Sequence, residues 1–213
     1  MKIVLASATR HEIEPISTQL KNFIKHDIEV CYTGVGMLQT GVALMQAIYA
    51  RKPQLIVQAG IAGSFNTGLI LGEVYTVKNE YYGDLGVLEN GEWNDVFDLD
   101  LADSNANNFT NKALYNYWVD EYNLLNLPKV NAVTVNAITT NKNGVQELIK
   151  KYNPQLESME GIALHHVGLT TKTAFLQLRA VSNYVGERDK TKWKMKEAIT
   201  NLNNTLITLL NKL

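Results

Sequence analysis

The stretch that decides the fold reads Leu55-Ile-Val-Gln-Ala-Gly-Ile-Ala-Gly-Ser-Phe65. Its first half, Leu55–Ala59, is an uncharged apolar run of the kind that forms a buried strand. The glycines that follow predict a turn, Ala59–Phe65, in which the backbone can approach a ligand closely. No Gly-Lys-Ser/Thr follows, so a Walker-type phosphate loop is excluded. The stretch therefore predicts a buried strand ending in a tight turn, which either binds a ligand or only packs.

Similar short apolar runs recur on both sides of this stretch. They are Lys2–Ala6, Ile28–Thr33, Val74–Val77, Val130–Val135 and Phe175–Val181. Segments with helical periodicity lie between several of them, at 10–24, 37–50 and 189–213. The segment 37–50 carries its apolar side chains on one face, namely Leu38, Val42, Met45 and Tyr49. Strands that alternate with helices predict an α/β domain over residues 1–213, with a sheet that is at least partly parallel.

Residues 83–128 are the least regular part of the chain. Asn90-Gly91 in this region is typical of a hairpin turn, because both residues tolerate positive φ. Residues 109–123 predict a helix. Because no Pro/Ser-rich linker borders the region, we interpret it as an insertion into one domain.

Charge and composition limit the class of ligand. The 213 residues include 20 Lys and Arg against 21 Asp and Glu, a formal charge of −1. The chain has no excess of positive charge with which to bind a phosphate backbone, so we expect a small-molecule ligand and no nucleic acid. The chain has one cysteine, Cys31, and four histidines, of which the adjacent His165 and His166 point to different faces of a helix or strand, so we expect no bound metal. The apolar run Met1–Ala6 is too short for a signal peptide, and 53–72 contains polar residues and four glycines. We therefore expect a cytoplasmic protein without a membrane segment.

Four unusual stretches fall at the carboxyl ends of predicted strands. They are Ala8–Glu12, Gly34–Met37, Ala59–Gly63 and Ser182-Asn183. Ligands of open α/β sheets bind beyond the carboxyl ends of the strands, so these stretches predict one site. Gly34–Met37 does not complete a dinucleotide fingerprint, because Gly41 follows Gly36 by five positions where three are needed. We expect no nicotinamide or other cofactor.

Glu160 and Asn183 allow two interpretations each, and Asp189 has one predicted role. Glu160 precedes a predicted helix at 161–169, where it either favours the helix N-terminus electrostatically or holds sugar hydroxyls. Asn183 follows a buried strand, where its amide either reads the edge of a ring or bonds to backbone. Asp189 is predicted to cap the N-terminus of the final helix. The spacing of these residues leaves both interpretations of Glu160 open.

With these stretches in order, nearly the whole chain resembles the nucleoside phosphorylase/nucleosidase superfamily. The similarity is carried by Glu12, Gly34–Met37, Ala59–Phe65, Ser158–Gly161 and Arg179–Asn183. Within the superfamily, 83–87, 158–161 and 181–193 are most similar to the enzymes that hydrolyse futalosine to hypoxanthine and dehypoxanthine futalosine. The resemblance implies a mixed central β-sheet flanked by helices and hydrolysis of an N-ribosidic bond without metal. We also expect a homo-oligomer of two or more copies.

The resemblance also implies roles for single residues. Glu12 matches the carboxylate that activates water, and Met159 and Glu160 match the pair that packs on and hydrogen-bonds the ribose. Ile61 is expected to contact substrate. Asn183 matches the position that contacts the purine near N7, which adenine-releasing relatives fill with aspartate. Such roles fit a reaction that places positive charge on the sugar and negative charge on the departing base.

Several alternatives remain open from the sequence. Glu14 rivals Glu12 as the base that activates water. A true phosphorylase is a second alternative, although related phosphorylases carry an arginine where Gln58 stands; Arg10 could supply the missing charge. Another purine nucleosidase, of the methylthioadenosine/adenosylhomocysteine type, is a third alternative, and a non-catalytic nucleoside-binding domain is a fourth. The joint presence of Glu12, Glu160 and Asn183 favours an enzyme over a binding domain.

Overall fold

A nine-stranded sheet forms the centre of the molecule in a computed structural model that describes residues 1–213. The chain contains eleven strands: β1 Lys2–Ser7, β2 Asp27–Tyr32, β3 Leu55–Ser64, β4 Val74–Tyr82, β5 Gly86–Glu89, β6 Glu92–Asp95, β7 Phe109–Thr110, β8 Ala113–Tyr115, β9 Lys129–Thr134, β10 Leu156–Ser158 and β11 Phe175–Tyr184. Strands β5 and β6 form a separate hairpin. Within the large sheet, β3, β11, β4, β9 and β10 pair in a closed ring.

The sheet is mixed and helices cover both of its faces. The helices are α1 Arg10–Ser17, α2 Met37–Arg51, α3 Val119–Tyr122, α4 Lys142–Tyr152, α5 Gly161–Thr171 and α6 Met195–Lys212. The largest apolar cluster joins α1 and α6 to β1, β3 and β11, and a second cluster joins α2 to α5. Strands β1, β2, β3 and β11 run parallel, whereas β4 and β10 run antiparallel to their neighbours β11 and β3. The expected α/β fold with a mixed central sheet is confirmed. None of the helices combines the length and apolar character that a membrane crossing requires.

The predicted turn at Ala59–Phe65 is wrong. The strand β3 continues through the glycines to Ser64 and pairs with β11 along its length. Gly60 and Gly63 do not adopt positive φ, so conformational freedom is not their role. They provide space instead, because a Cβ on Gly60 would overlap the guanidinium of Arg179.

Residues 83–128 confirm one local prediction and contradict another. The hairpin turn at Asn90-Gly91 joins β5 to β6, with φ of 52° and 84° at the two residues. The helix predicted at 109–123 is wrong, since β7 and β8 form a second hairpin there and only α3 is helical. Asn111 and Lys112 adopt positive φ at its turn, which an α-helix does not permit.

The predicted helices differ from the observed ones at their ends and faces. The helix expected at 10–24 ends at Ser17, and Ile24 is exposed. Asp189 caps a single 3₁₀ turn at Lys190–Lys192, and α6 begins only at Met195. The apolar face of α2 points outward, and its four residues are 46–88% exposed: Leu38, Val42, Met45 and Tyr49.

A contact between α1 and α6 fixes the backbone at Glu12. Pro15 lies inside α1, where its missing N–H leaves one hydrogen bond of the helix unmade. The side chain of Asn203, from α6, bridges the groups on either side of this proline. Its Oδ1 accepts from the N–H of Ile16 at 3.0 Å, and its Nδ2 donates to the carbonyl of Glu12 at 2.8 Å. Asn203 is buried, so these bonds are shielded from water.

Candidate active site

Residues from all four predicted stretches line one cavity of about 430 Å³. It lies near the carboxyl ends of β1, β3 and β11. The five residues that the sequence predicted for the site all line it: Glu12, Ile61, Met159, Glu160 and Asn183. In the described chain, no three His, Cys, Asp or Glu side chains are grouped to hold a metal ion.

Glu12 lies in the first turn of α1 and is buried. Its Oε2 accepts from the hydroxyl of Ser7 at 3.1 Å and from the N–H and hydroxyl of Thr9 at 2.9 Å each. Its Oε1 accepts only from the N–H of Ile61, at 3.2 Å. One oxygen is therefore fixed by three donors, and the other retains acceptor capacity in a residue that lines the cavity.

Glu14 occupies a different environment from Glu12. It is exposed, forms an ion pair with Arg10 at 3.2 Å, and does not line the cavity. Of the two candidate bases, only Glu12 belongs to the cavity wall. Arg10 is exposed, pairs with Glu14, and does not line the cavity.

Glu160 lies immediately before α5 and is also buried. Its Oε1 accepts from the N–H of Gly36 at 3.1 Å, and its Oε2 lies 3.6 Å from Nη1 of Arg179. Gly36 has a φ of 94°, a conformation that favours glycine. Burial raises the pKa of Glu160, and the nearby Arg179 opposes that rise.

Arg179 is a site residue that the sequence prediction did not single out. It lies within β11, is 1% exposed, and donates from Nη2 to Oε1 of Gln58 at 2.9 Å. Arg179 and Glu12 meet above Gly60: a Cβ added to this glycine would overlap Nη1 of Arg179 and would lie 2.9 Å from Oε1 of Glu12. The guanidinium thus lies close to both Glu12 and Glu160. The sequence did contain a signal, namely an arginine inside an otherwise apolar strand.

Asn183 follows a β-bulge in β11, where the register with β3 shifts between Val181 and Asn183. Bulges reorient side chains, and this one brings Asn183 to the cavity wall. Its Nδ2 donates to the carbonyl of Tyr184 at 3.0 Å, and its Oδ1 accepts from Ser182 at 2.8 Å. The backbone bond considered above is present. One N–H and one acceptor position of the amide remain for a ligand.

A third buried carboxylate, Glu80, lies behind the start of α5. Its two oxygens accept from Nε2 of Gln177 at 2.8 Å and from the hydroxyl of Thr134 at 2.9 Å. The same hydroxyl of Thr134 accepts from the N–H of Ile162 at 2.8 Å, which ties Glu80 to the first turn of α5. Burial raises the pKa of Glu80 to about 7, because desolvation disfavours the ionised form.

The fold and the buried carboxylates Glu12 and Glu160 of the cavity agree with the superfamily that the sequence resembles. The chain belongs to the phosphorylase superfamily, whose family model matches residues 5–211. A futalosine hydrolase of Thermus thermophilus is 28% identical over 186 residues, covering 84% of this chain and 79% of the relative.

Solved structures share the fold over the full chain. A futalosine hydrolase of Helicobacter pylori strain 26695 has a TM-score of 0.81 at 16% identity, covering 100% of this chain and 98% of that chain. A 5′-methylthioadenosine/S-adenosylhomocysteine nucleosidase of Helicobacter pylori, with butyl-thio-DADMe-Immucillin-A, has a TM-score of 0.80 at 15% identity. That match covers 100% of this chain and 99% of the nucleosidase.

Proposed function

We propose that this protein hydrolyses the N-ribosidic bond of futalosine, releasing hypoxanthine and dehypoxanthine futalosine within menaquinone biosynthesis. The observation that carries the proposal is the convergence of Glu12, Glu160 and Asn183 on one cavity. The similarity to the Thermus thermophilus futalosine hydrolase supports the choice of substrate.

In this reaction Glu12 accepts a proton from the attacking water through its less occupied oxygen, Oε1. Glu160 accepts hydrogen bonds from the ribose hydroxyls and stabilises the positive charge that develops on the sugar. Arg179 offsets the cost of holding two carboxylates in a buried site, since it lies close to both. Met159 packs on the ribose and Ile61 contacts the substrate from β3.

Asn183 recognises the departing base. Its remaining N–H donates to O6 of a 6-oxopurine, and its oxygen accepts a hydrogen bond from N7–H once N7 is protonated. Because an amide is not an acid at neutral pH, the proton reaches N7 through water that Asn183 orients. These contacts favour a base with a carbonyl at C6 over one with an amino group.

Water rather than phosphate is the nucleophile in this proposal. Gln58 stands where related phosphorylases carry arginine, and it is buried and hydrogen-bonded to Arg179. A neutral amide does not form the charged fork with which arginine holds phosphate. Arg10 is exposed and paired with Glu14, so it does not supply the missing charge at the cavity.

The experiment that tests the proposal measures release of free base from a set of nucleosides. Futalosine, aminofutalosine, methylthioadenosine, adenosylhomocysteine and inosine are each incubated with the protein, with and without phosphate. We expect futalosine to be cleaved fastest, at a rate that does not depend on phosphate. If adenine is released from methylthioadenosine faster than hypoxanthine is released from futalosine, the protein is instead a nucleosidase of the methylthioadenosine/adenosylhomocysteine type. A sugar-1-phosphate product would make the protein a phosphorylase.

We further propose that the protein forms a homo-oligomer through the outward face of α2. Its four apolar side chains, spaced at helical intervals, form an exposed stripe, which is typical of a surface covered by another protein. A second copy covers the stripe by two-fold symmetry. Sedimentation of the wild type should give a dimer or larger species, and Leu38→Glu should give monomer. Ile24→Glu, at an exposed apolar residue outside the stripe, is the matched control and should leave the mass unchanged.

A further inference from the structure

Arg188 lies at the exposed rim of the cavity whose buried walls include Glu12 and Glu160. The centre of its guanidinium is 5.6 Å from the centre of the Trp193 ring, within the range of a cation–π contact. Trp193 also lines the cavity, and its indole N–H donates to the carbonyl of Glu187 at 3.1 Å. The ring is therefore held in place, and it holds the guanidinium beside the cavity.

Arg188 has no carboxylate partner within the chain, although acidic residues flank it. Glu187 forms an ion pair with Lys192 at 2.7 Å. Asp189 accepts from the hydroxyl and the N–H of Thr191, at 2.7 and 3.0 Å. Each neighbouring acid is thus engaged elsewhere. The five N–H donors of Arg188 remain for water or for a ligand.

The charges around the cavity are separated along its length. The buried wall carries Glu12, Glu157 and Glu160, and the one buried cation, Arg179, pairs with Glu160 without lining the cavity. The buried part therefore has an excess of negative charge, which stabilises a sugar that gains positive charge. Arg188 is the sole lysine or arginine among the lining residues, and it stands at the exposed rim. Glu187, at the same rim, is neutralised by Lys192. A substrate matched to this distribution carries an anionic group on the part that extends toward the solvent.

We propose that Arg188, stacked on Trp193, binds a carboxylate at the end of the substrate remote from the scissile bond. This inference rests on the proposed function, because the carboxybenzoyl substituent of futalosine supplies such a group. A planar guanidinium pairs with a carboxylate along its edge, through two parallel hydrogen bonds, and this leaves its face free to contact the indole of Trp193. Arg188 therefore sets the preference for an acid-bearing nucleoside over a plain one.

The test compares three substrates on three variants. The substrates are futalosine, its carboxylate methyl ester and inosine, and the variants are Arg188→Gln, Arg188→Lys and Lys190→Gln. Losing one charge-assisted contact at a partly exposed position lowers kcat/KM for futalosine about tenfold, mainly through KM. Arg188→Gln should leave the ester and inosine unchanged, and Arg188→Lys should recover part of the loss. Lys190→Gln removes an exposed cation that does not line the cavity, and it should have no effect.

Two outcomes overturn the inference while the proposed function stands. One is an equal loss on all three substrates in Arg188→Gln, which would indicate a structural role. The other is wild-type protein that cleaves futalosine and its ester equally well. Wild-type protein that releases no hypoxanthine from futalosine overturns the proposed function together with the inference, so the two failures are distinguishable.

Discussion

The carboxylate of Glu80 occupies the space that a side chain on residue 161 would need. A Cβ added to Gly161 would overlap Oε1 of Glu80, which also accepts a hydrogen bond from Gln177. Gly161 opens α5 and directly follows Glu160. The buried carboxyl and the glycine are therefore matched, and together they determine how closely the start of α5 approaches the sheet.

Gly161→Ala should destabilise the protein by about 2–4 kcal/mol, because the new methyl group displaces a buried, hydrogen-bonded carboxyl. Urea unfolding measures the loss. Gly41→Ala is the matched control, since it also lies in a helix but its Cβ would meet nothing within 4 Å. That change should raise the free energy of unfolding by up to about 1 kcal/mol. Equal effects of the two substitutions would contradict the role given to Glu80.

Glu80 should make the stability depend on pH between about 5 and 8. In the unfolded chain its pKa returns to 4.5, whereas burial raises it to about 7 in the folded state. The folded state then binds more protons in this window, so the free energy of unfolding falls as pH rises, by at most about 3 kcal/mol. Glu80→Gln should flatten this fall in urea unfolding at pH 5 and pH 8. An unchanged slope would assign the pH dependence to other groups.

Glu12→Gln should reduce kcat by about 10²–10⁴-fold, because it removes the base that accepts a proton from water. Glu14→Gln provides a neighbouring control on the same helix and should leave kcat nearly unchanged, since Glu14 is exposed and paired with Arg10. Steady-state release of hypoxanthine from futalosine measures both. If the Glu14 variant is the inactive one, the assignment of the base is wrong.

Asn183→Asp should reduce the preference for futalosine over aminofutalosine, or reverse it. An ionised aspartate only accepts hydrogen bonds, so it repels a carbonyl at C6 and suits an amino group. One mispaired polar contact in a closed pocket costs about 1–3 kcal/mol, which changes the ratio about 5- to 150-fold. The ratio of kcat/KM values for the two substrates measures the effect. If kcat/KM falls equally for both substrates and thermal stability is lower, the role of Asn183 is structural, through its bonds to Ser182 and Tyr184.

The sequence was sufficient where local pattern determines structure. The strands β1 and β2 and the helix α2 lie where apolar runs and helical periodicity predicted them, and Asn90-Gly91 forms the expected turn. Of the five residues predicted for the site, each lines the cavity, because the carboxyl ends of the strands converge there.

The sequence was insufficient where distant residues determine structure. The glycines of β3 were predicted as a turn, since nothing local shows that Gly60 makes room for Arg179, which lies on another strand. The sequence marks Arg179 only as an arginine inside an apolar strand, because its partners Glu160 and Gln58 are distant along the chain. Residues 109–123 have helical periodicity, yet the turn at Asn111-Lys112 and pairing with β4 select a hairpin.

The amide bridge from Asn203 to Glu12 has a consequence for the synthesis of the protein. The two residues are 191 positions apart, so a ribosome makes all of the intervening chain before the bridge can form. Contacts of such sequence separation form late, because a long loop must first be closed. The segment that carries Glu12 is thus made long before the partner that bridges it. The backbone of Glu12 gains its bond to Asn203 only after α6 has folded back onto α1.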